Sequence, residues 1–156
     1  AALNTAAQTS GASAAKPTQK PATKPAMPAH PITSPGDLQW SPWLFGAQMA
    51  VVSGDPSKPG PFVIRLKAPA GTVIPPHFHP TTENVTILDG TFSVGMGDKI
   101  ENAKMMKMES GAFASMPALK HHYAKAMTDT LVQVHGSGPF AITFVNPADD
   151  PRPKTQ

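Results

Sequence analysis

From Asp37 onward the chain is a succession of short β-type runs cut by turn residues. QMAVVSG, PFVIRLKAP, ENVTILDG, TFSVGMG, KMMKMESG, AFASMP, HHYAKA, TLVQVHG and FAITFVNP follow one another, separated by Gly, Pro, Asp and Asn. None of these runs shows the 3.6-residue apolar period with caps that a helix needs. Runs of this length and spacing predict an all-β sandwich or barrel. LDGT, between two such runs, predicts a hairpin. SGDPSKPG marks a second turn, and the many prolines are expected at strand ends and edges rather than at strand centres.

The first 36 residues have another texture. They are rich in Ala, Pro, Thr, Ser and Lys, and KPTQKPATKPAMPAHP repeats Pro every few residues. Such a segment buries too little apolar surface to fold, so residues 1–36 are expected to form a disordered linker. Residues 37–147 then make one domain with a single core, and 148–156 a C-terminal tail. An Ala-rich start that lacks Met, followed by a Pro/Thr/Lys linker, fits an exported protein whose signal peptide has been removed. The expected location is therefore secreted or periplasmic.

Charge and cysteine narrow the function classes. The net charge of +3 comes from Lys16, Lys20 and Lys24, because residues 1–35 contain no acid. The remaining ten basic residues balance ten acidic ones, which gives no footprint for nucleic acid. With no cysteine, disulfides and thiolate sites are excluded. No apolar run is long enough to span a membrane as a helix.

Residues 71–90, GTVIPPHFHPTTENVTILDG, carry the chemistry. His77 and His79 are two apart, so on a strand they point to one face. Glu83 has the same parity and can join them if Pro80 does not interrupt the strand. Two imidazoles and a carboxylate on one side of a sheet suit a divalent transition metal. Gly71 and Gly90 frame the group.

This spacing resembles the first motif of the cupin superfamily, G-x5-H-x-H-x3-E-x6-G, at every fixed position. The second motif, G-x5-P-x-G-x2-H-x3-N, is matched in GAFASMPALKHHYAKA by Gly111, Pro117 and His122. Leu119 stands where glycine is usual and Ala126 where asparagine is usual. The resemblance spans the two motifs, residues 71–126, and with flanking strands most of 37–147. It implies a single small jelly-roll β-barrel with a metal near its mouth. His77, His79 and His122 would be the ligands, with Glu83 either a fourth ligand or a neighbour of the metal. All four are the candidate catalytic residues.

Other residues are more ambiguous. His121 should face away from His122, as a rim or surface histidine. Gln133 and His135 share a strand face, either lining the cavity or meeting solvent. Met96, Met105, Met106, Met108, Met116 and Met127 are expected mainly to fill the core, although thioethers also suit copper(I). Trp40, Trp43 and Phe45 are expected to pack, with sugar stacking or a dimer contact as alternatives. Arg65 is expected on an exposed strand position.

Three histidines leave an open coordination position, the mark of a catalytic metal site. The resemblance implies a metal-dependent oxidoreductase using dioxygen or peroxide. Copper is favoured by nitrogen ligands and by export, with iron, manganese or zinc as alternatives. Small secreted cupins include copper-dependent cellulose-oxidising enzymes, so cellulose or a related polysaccharide is the expected substrate. A Lewis-acid isomerase or decarboxylase and a non-catalytic binding cupin are the alternatives. A homodimer is expected, with Trp40 and Trp43 as candidate contacts.

Overall fold

Alternation of apolar and polar residues becomes two facing antiparallel sheets in the computed structural model, which describes residues 32–153. The strands are β1 (Ser41–Pro42), β2 (Gln48–Ser53), β3 (Gly60–Ala68), β4 (Val73–Phe78), β5 (Glu83–Asp89) and β6 (Thr91–Met96). They continue with β7 (Met106–Glu109), β8 (Phe113–Met116), β9 (His122–Ala126), β10 (Thr130–Gly138) and β11 (Thr143–Phe144). One sheet has the order β1-β2-β3-β10-β5-β8, the other β11-β4-β9-β6-β7. Among the described residues there is no α-helix, only short 3-10 turns. None is long and apolar enough to cross a membrane. The expected linker lies largely outside the described residues.

The first sheet is built around β10, which pairs with β3 along its whole length and with β5 on its other side. Phe62, Ile64 and Leu66 of β3 are buried at every second position, as are Val132 and Val134 of β10. Val85 and Ile87 of β5 join them, and Phe92, Val94, Ala124 and Ala126 face them from the second sheet. The intervening Arg65 and Gln133 lie on the outer face of the first sheet, where Arg65 Nε donates to Gln133 Oε1 at 3.1 Å.

Three expectations need correction. LDGT is not a hairpin, because β5 and β6 belong to different sheets. The chain turns a corner at Gly90, whose φ is 81°. A Cβ there would come within 2.2 Å of the Asp129 carbonyl oxygen, so the close approach of two corners requires glycine. SGDPSKPG, by contrast, does join the paired strands β2 and β3. Second, Pro75 and Pro76 lie inside β4 rather than at its ends. The ladder with β9 is irregular between Ile74 and His77, which tolerates two residues without N–H donors. Third, only some of the methionines fill the core. Met108 and Met116 are buried, whereas Met96, Met106 and Met127 are exposed.

Candidate metal centre

The irregular stretch of β4 also holds the first histidine of the site. Pro75 offers its carbonyl to the Nδ1 of His77 at 2.7 Å. His79 Nδ1 meets the carbonyl of Ala141 at 2.7 Å, and His122 Nδ1 that of Lys120 at 2.9 Å. A carbonyl can only accept, so each Nδ1 carries the proton and donates. That fixes the tautomer and leaves each Nε2 as the inward-facing nitrogen, an arrangement typical of metal-binding histidines.

Register brings the three rings together. His77 pairs directly with His122 across β4 and β9, and their ring centroids are 4.2 Å apart. His79, just past the end of β4, has its centroid 5.0 Å from that of His77 and 5.3 Å from that of His122. One ring nitrogen from each lies within 4.8 Å of the other two. All three side chains are buried.

Glu83 arrives by another route than parity on a shared strand. It opens β5, in the opposite sheet, and faces the histidines across the corner at residues 80–82. Its Oε2 lies 3.2 Å from His122 Nε2 and 3.5 Å from His79 Nε2. The second contact lacks hydrogen-bond geometry, so among the described residues His79 Nε2 is a buried nitrogen without a hydrogen-bond partner.

The electrostatics follow from this packing. Burial, reinforced by the nearby charge of His122, pushes His77 down to about 3, so it is neutral over the physiological range. Burial also pulls His122 down, but hydrogen bonding and charge from Glu83 outweigh it and raise its pKa. Burial would raise Glu83, yet contact with His122 and His79 holds its carboxyl far below the usual range. Without a metal, His122 and Glu83 therefore form a buried ion pair wherever His122 is protonated, a range that its raised pKa extends upward.

A divalent metal fits this arrangement. It would take the lone pairs of His77 and His79, give the orphaned His79 Nε2 a partner and replace the His122 Nε2 proton. Buried unpaired polar atoms are rare in folded proteins, and this one points at the place where a ligand set of three nitrogens would need its ion.

The site opens into an apolar cavity of about 40 Å³ between the sheets. Ile64, Val85, Val132 and Val134 line one side, and Ile74 and Val94 the other. Among the described residues, the three histidines and Glu83 are the only ionisable ones that line it. Its remaining wall comes from places that motif reading does not mark. Trp43 closes it from the start of the domain, and Phe140 and Ile142 from the strap between β10 and β11. Phe140 stacks on His79, with centroids 4.3 Å apart and planes 20° from parallel. Ring–imidazole contacts leave no motif, but FAITFVNP after a long strand was the available cue.

The remaining candidates fall outside. Gln133 and His135 do not line the cavity. Gln133 binds Arg65 on the outer sheet face, and the His135 ring lies 6.4 Å from that of Phe113. His121 is a rim residue, stacked on Phe78 and paired with Asp98 at 2.6 Å. Trp40 lies under Lys67 Nζ, 4.1 Å from its ring. Phe45 packs edge-on against Phe144.

Comparison with known proteins bears on the fold that carries this site. The ChrR cupin-like domain model matches residues 29–141, more than half of the chain. Comparison with curated proteins finds no match. Among solved structures, KdgF from Halomonas sp. is 22% identical with a TM-score of 0.55, covering 67% of this chain and 89% of that one. The polyketide cyclase RemF from Streptomyces resistomycificus is 13% identical with a TM-score of 0.64, covering 77% and 88%. Salicylate 1,2-dioxygenase from Pseudaminobacter salicylatoxidans is 16% identical with a TM-score of 0.52, covering 63% of this chain but 30% of the enzyme. At these identities the structural likeness is one of fold. Since the family match runs from ahead of β1 through to Ala141, whose carbonyl orients His79, this chain belongs to the ChrR cupin-like domain family.

Proposed function

We propose that the protein is a metal-dependent enzyme of the cupin fold, an oxidoreductase that uses dioxygen or peroxide on a small molecule. The observation that carries this reading is the convergence of three tautomer-fixed histidines, one with an unpartnered buried Nε2, at the edge of an apolar cavity. Its structural neighbours include enzymes, among them a dioxygenase and a cyclase by name.

His77, His79 and His122 would hold the metal, and copper, iron, manganese or zinc are the candidates for a site of this nitrogen-rich kind. Bound there, the metal would supply redox or Lewis-acid chemistry at its open positions. Glu83 would hold a proton at Oε2 or release it, since its present partner, the His122 Nε2 proton, is lost on metal binding. The apolar walls exclude water and offer no cation to grip an anionic substrate.

Cavity size narrows the substrate. A water needs about 10–15 Å³ of such space, so the cavity admits about three water-sized groups. A polysaccharide does not fit inside. Attack on cellulose or a related polymer therefore requires the polymer to stay outside the barrel, and a small, largely apolar substrate is the better match. Export and assembly into a homodimer complete the proposal, and Trp40 is the freer of the two tryptophans for such a contact because Trp43 faces the cavity.

Glu83 also favours a second reading. An ionised carboxylate beside the ligands can move protons, as an isomerase or decarboxylase would require. Protein purified without added metal should contain one metal ion per chain by mass spectrometry. Loaded separately with copper, iron, manganese and zinc, it should consume dioxygen or peroxide with the redox-active ions only. Turnover that is equally fast with zinc supports the Lewis-acid reading, and no metal uptake at all overturns both.

A further inference from the structure

The histidine cluster is held partly by the segment that ends the family match and runs on beyond it. After β10 the chain crosses the cavity as a strap. Phe140 stacks on His79, the Ala141 carbonyl accepts from His79 Nδ1, and Ile142 lines the cavity. β11 then pairs with β4 beside His77, and Val145 N–H donates to the Pro76 carbonyl at 2.9 Å. The strap thus touches two of the three candidate ligands.

Arg152 secures the strap from outside. Its Nη2 donates to the Ile142 carbonyl at 3.1 Å. Its Nε and Nη2 also donate to the two carboxylate oxygens of Asp150, at 2.8 and 2.7 Å. The backbone N–H of Arg152 bonds the same carboxylate at 3.0 Å. A guanidinium held along its Nε–Nη2 edge by a bidentate carboxylate is pre-organised, and the bond from Nη2 to Ile142 costs little further entropy. Ile142 follows the residue whose carbonyl orients His79.

We propose that Arg152 is a positioning residue for the metal site, acting through Ile142 and Ala141 on the tautomer and aim of His79. Residues 147–152 are then part of the site's support. The Arg152–Asp150 fork is the clasp, the strap is the arm, and the His79 Nδ1–H bond is what it holds. The proposal rests on the three-histidine metal reading, but its geometry can be tested without metal.

The test uses the full chain with Arg152→Met, which keeps the aliphatic stem, and Arg152→Lys, which keeps the charge without the fork. In metal-free protein, nuclear magnetic resonance of the histidine Nδ1–H protons reads the hydrogen bonds directly. Arg152→Met should make the His79 Nδ1–H exchange with water at least several-fold faster, while that of His122, held by Lys120, stays as in the wild type. In zinc-loaded protein, release of zinc to a chelator should quicken about 10-fold, the lower end of what indirect ligand support is worth. Arg152→Lys should fall between. Thermal midpoints of the metal-free variants should stay within a few degrees of the wild type. If exchange at His79 is unchanged, or if all three histidines loosen together with the midpoint, Arg152 is not a positioning residue. Failure of the wild type to bind zinc would sink the metal reading alone, since the exchange measurement would still decide the role of Arg152.

Discussion

His77, His79 and Glu83 come from one short stretch, and His122 joins them because β9 pairs with β4 in a register that sets it opposite His77. Trp43, Phe140 and Ile142, which close the same cavity, come from opposite ends of the domain. The ligand wall is built from polar groups at fixed spacing on paired strands. The closing wall is built from bulky apolar groups whose only requirement is to fill space. The first depends on identity at each position, the second on volume and reach. Substitutions in the two walls should therefore separate chemistry from enclosure.

The largest effect belongs to the ligand wall. His77→Ala or His122→Ala should weaken metal binding by well over 10-fold, since even changes to groups behind the ligands cost about 10–100-fold. Competition with a calibrated chelator measures this. Phe140→Ala, on the other wall, should leave affinity within about 10-fold by comparison with those indirect effects. Its cost should appear in stability, at about 2 kcal/mol, less than a fully buried Phe→Ala because Phe140 is only half-buried. Equal losses of affinity from both walls would erase the distinction.

The same comparison explains what could be read from the chain. Strand positions were legible because alternation is enforced by two-sided burial, as in β3 and β10. The clustering of the candidate ligands is legible because Gly71, His77, His79, Glu83 and Gly90 keep a fixed spacing. The corner at Gly90 reads as a hairpin in the sequence, since a glycine turn looks the same locally whether the chain returns to its own sheet or crosses to the other. Trp43 and Phe140 could not be placed, because an aromatic residue filling a cavity leaves no spacing rule. Arg152 looked like tail for the same reason, as its partner is a backbone carbonyl that any residue supplies.

Titration sharpens the contrast further, because only the ligand wall has groups that titrate. In the metal-free protein the folded state holds His77 neutral down to about 3, against an ordinary value of 6.5. Between those values the unfolded chain binds more protons, so stability should fall as pH drops below 6.5. Glu83 acts in the same direction: its contribution is present above the ordinary carboxylate range and lost as pH falls through its depressed value. His122 acts oppositely. Its raised pKa gives stability that is full below 6.5 and fades as pH rises through the raised value. Metal-free stability should thus pass through a maximum, declining on both sides. Metal affinity should rise with pH over the range in which His122 gives up its proton. Denaturant midpoints from pH 4 to 9 check the first, and proton release on zinc addition checks the second. A metal-free midpoint independent of pH would mean that the buried His122–Glu83 pair does not exist in solution.

The smallest expected effect lies on the turn that supports the ligand wall from behind. Pro117 to Lys120 form a turn closed by Lys120 N–H to the Pro117 carbonyl at 3.1 Å. Leu119 is its third residue, with a φ of 62°, in the left-handed region that glycine occupies freely and a leucine does not. This is the position where the cupin motif has glycine. The strained residue persists because its N–H donates to the His79 carbonyl at 2.9 Å, tying the turn to the end of β4. Its side chain is exposed, so little packing offsets the strain. Leu119→Gly should remove about 1–2 kcal/mol of left-handed strain. The greater freedom of glycine in the unfolded chain takes back about 0.5–1 kcal/mol. The net expectation is a modest gain, seen as a higher urea midpoint, with metal affinity unchanged because the backbone bond to His79 survives. A lower midpoint would show that the leucine side chain makes contacts in solution that outweigh its backbone strain. A change in affinity without a change in midpoint would show instead that the turn's stiffness, rather than its hydrogen bond alone, keeps His79 aimed at the site.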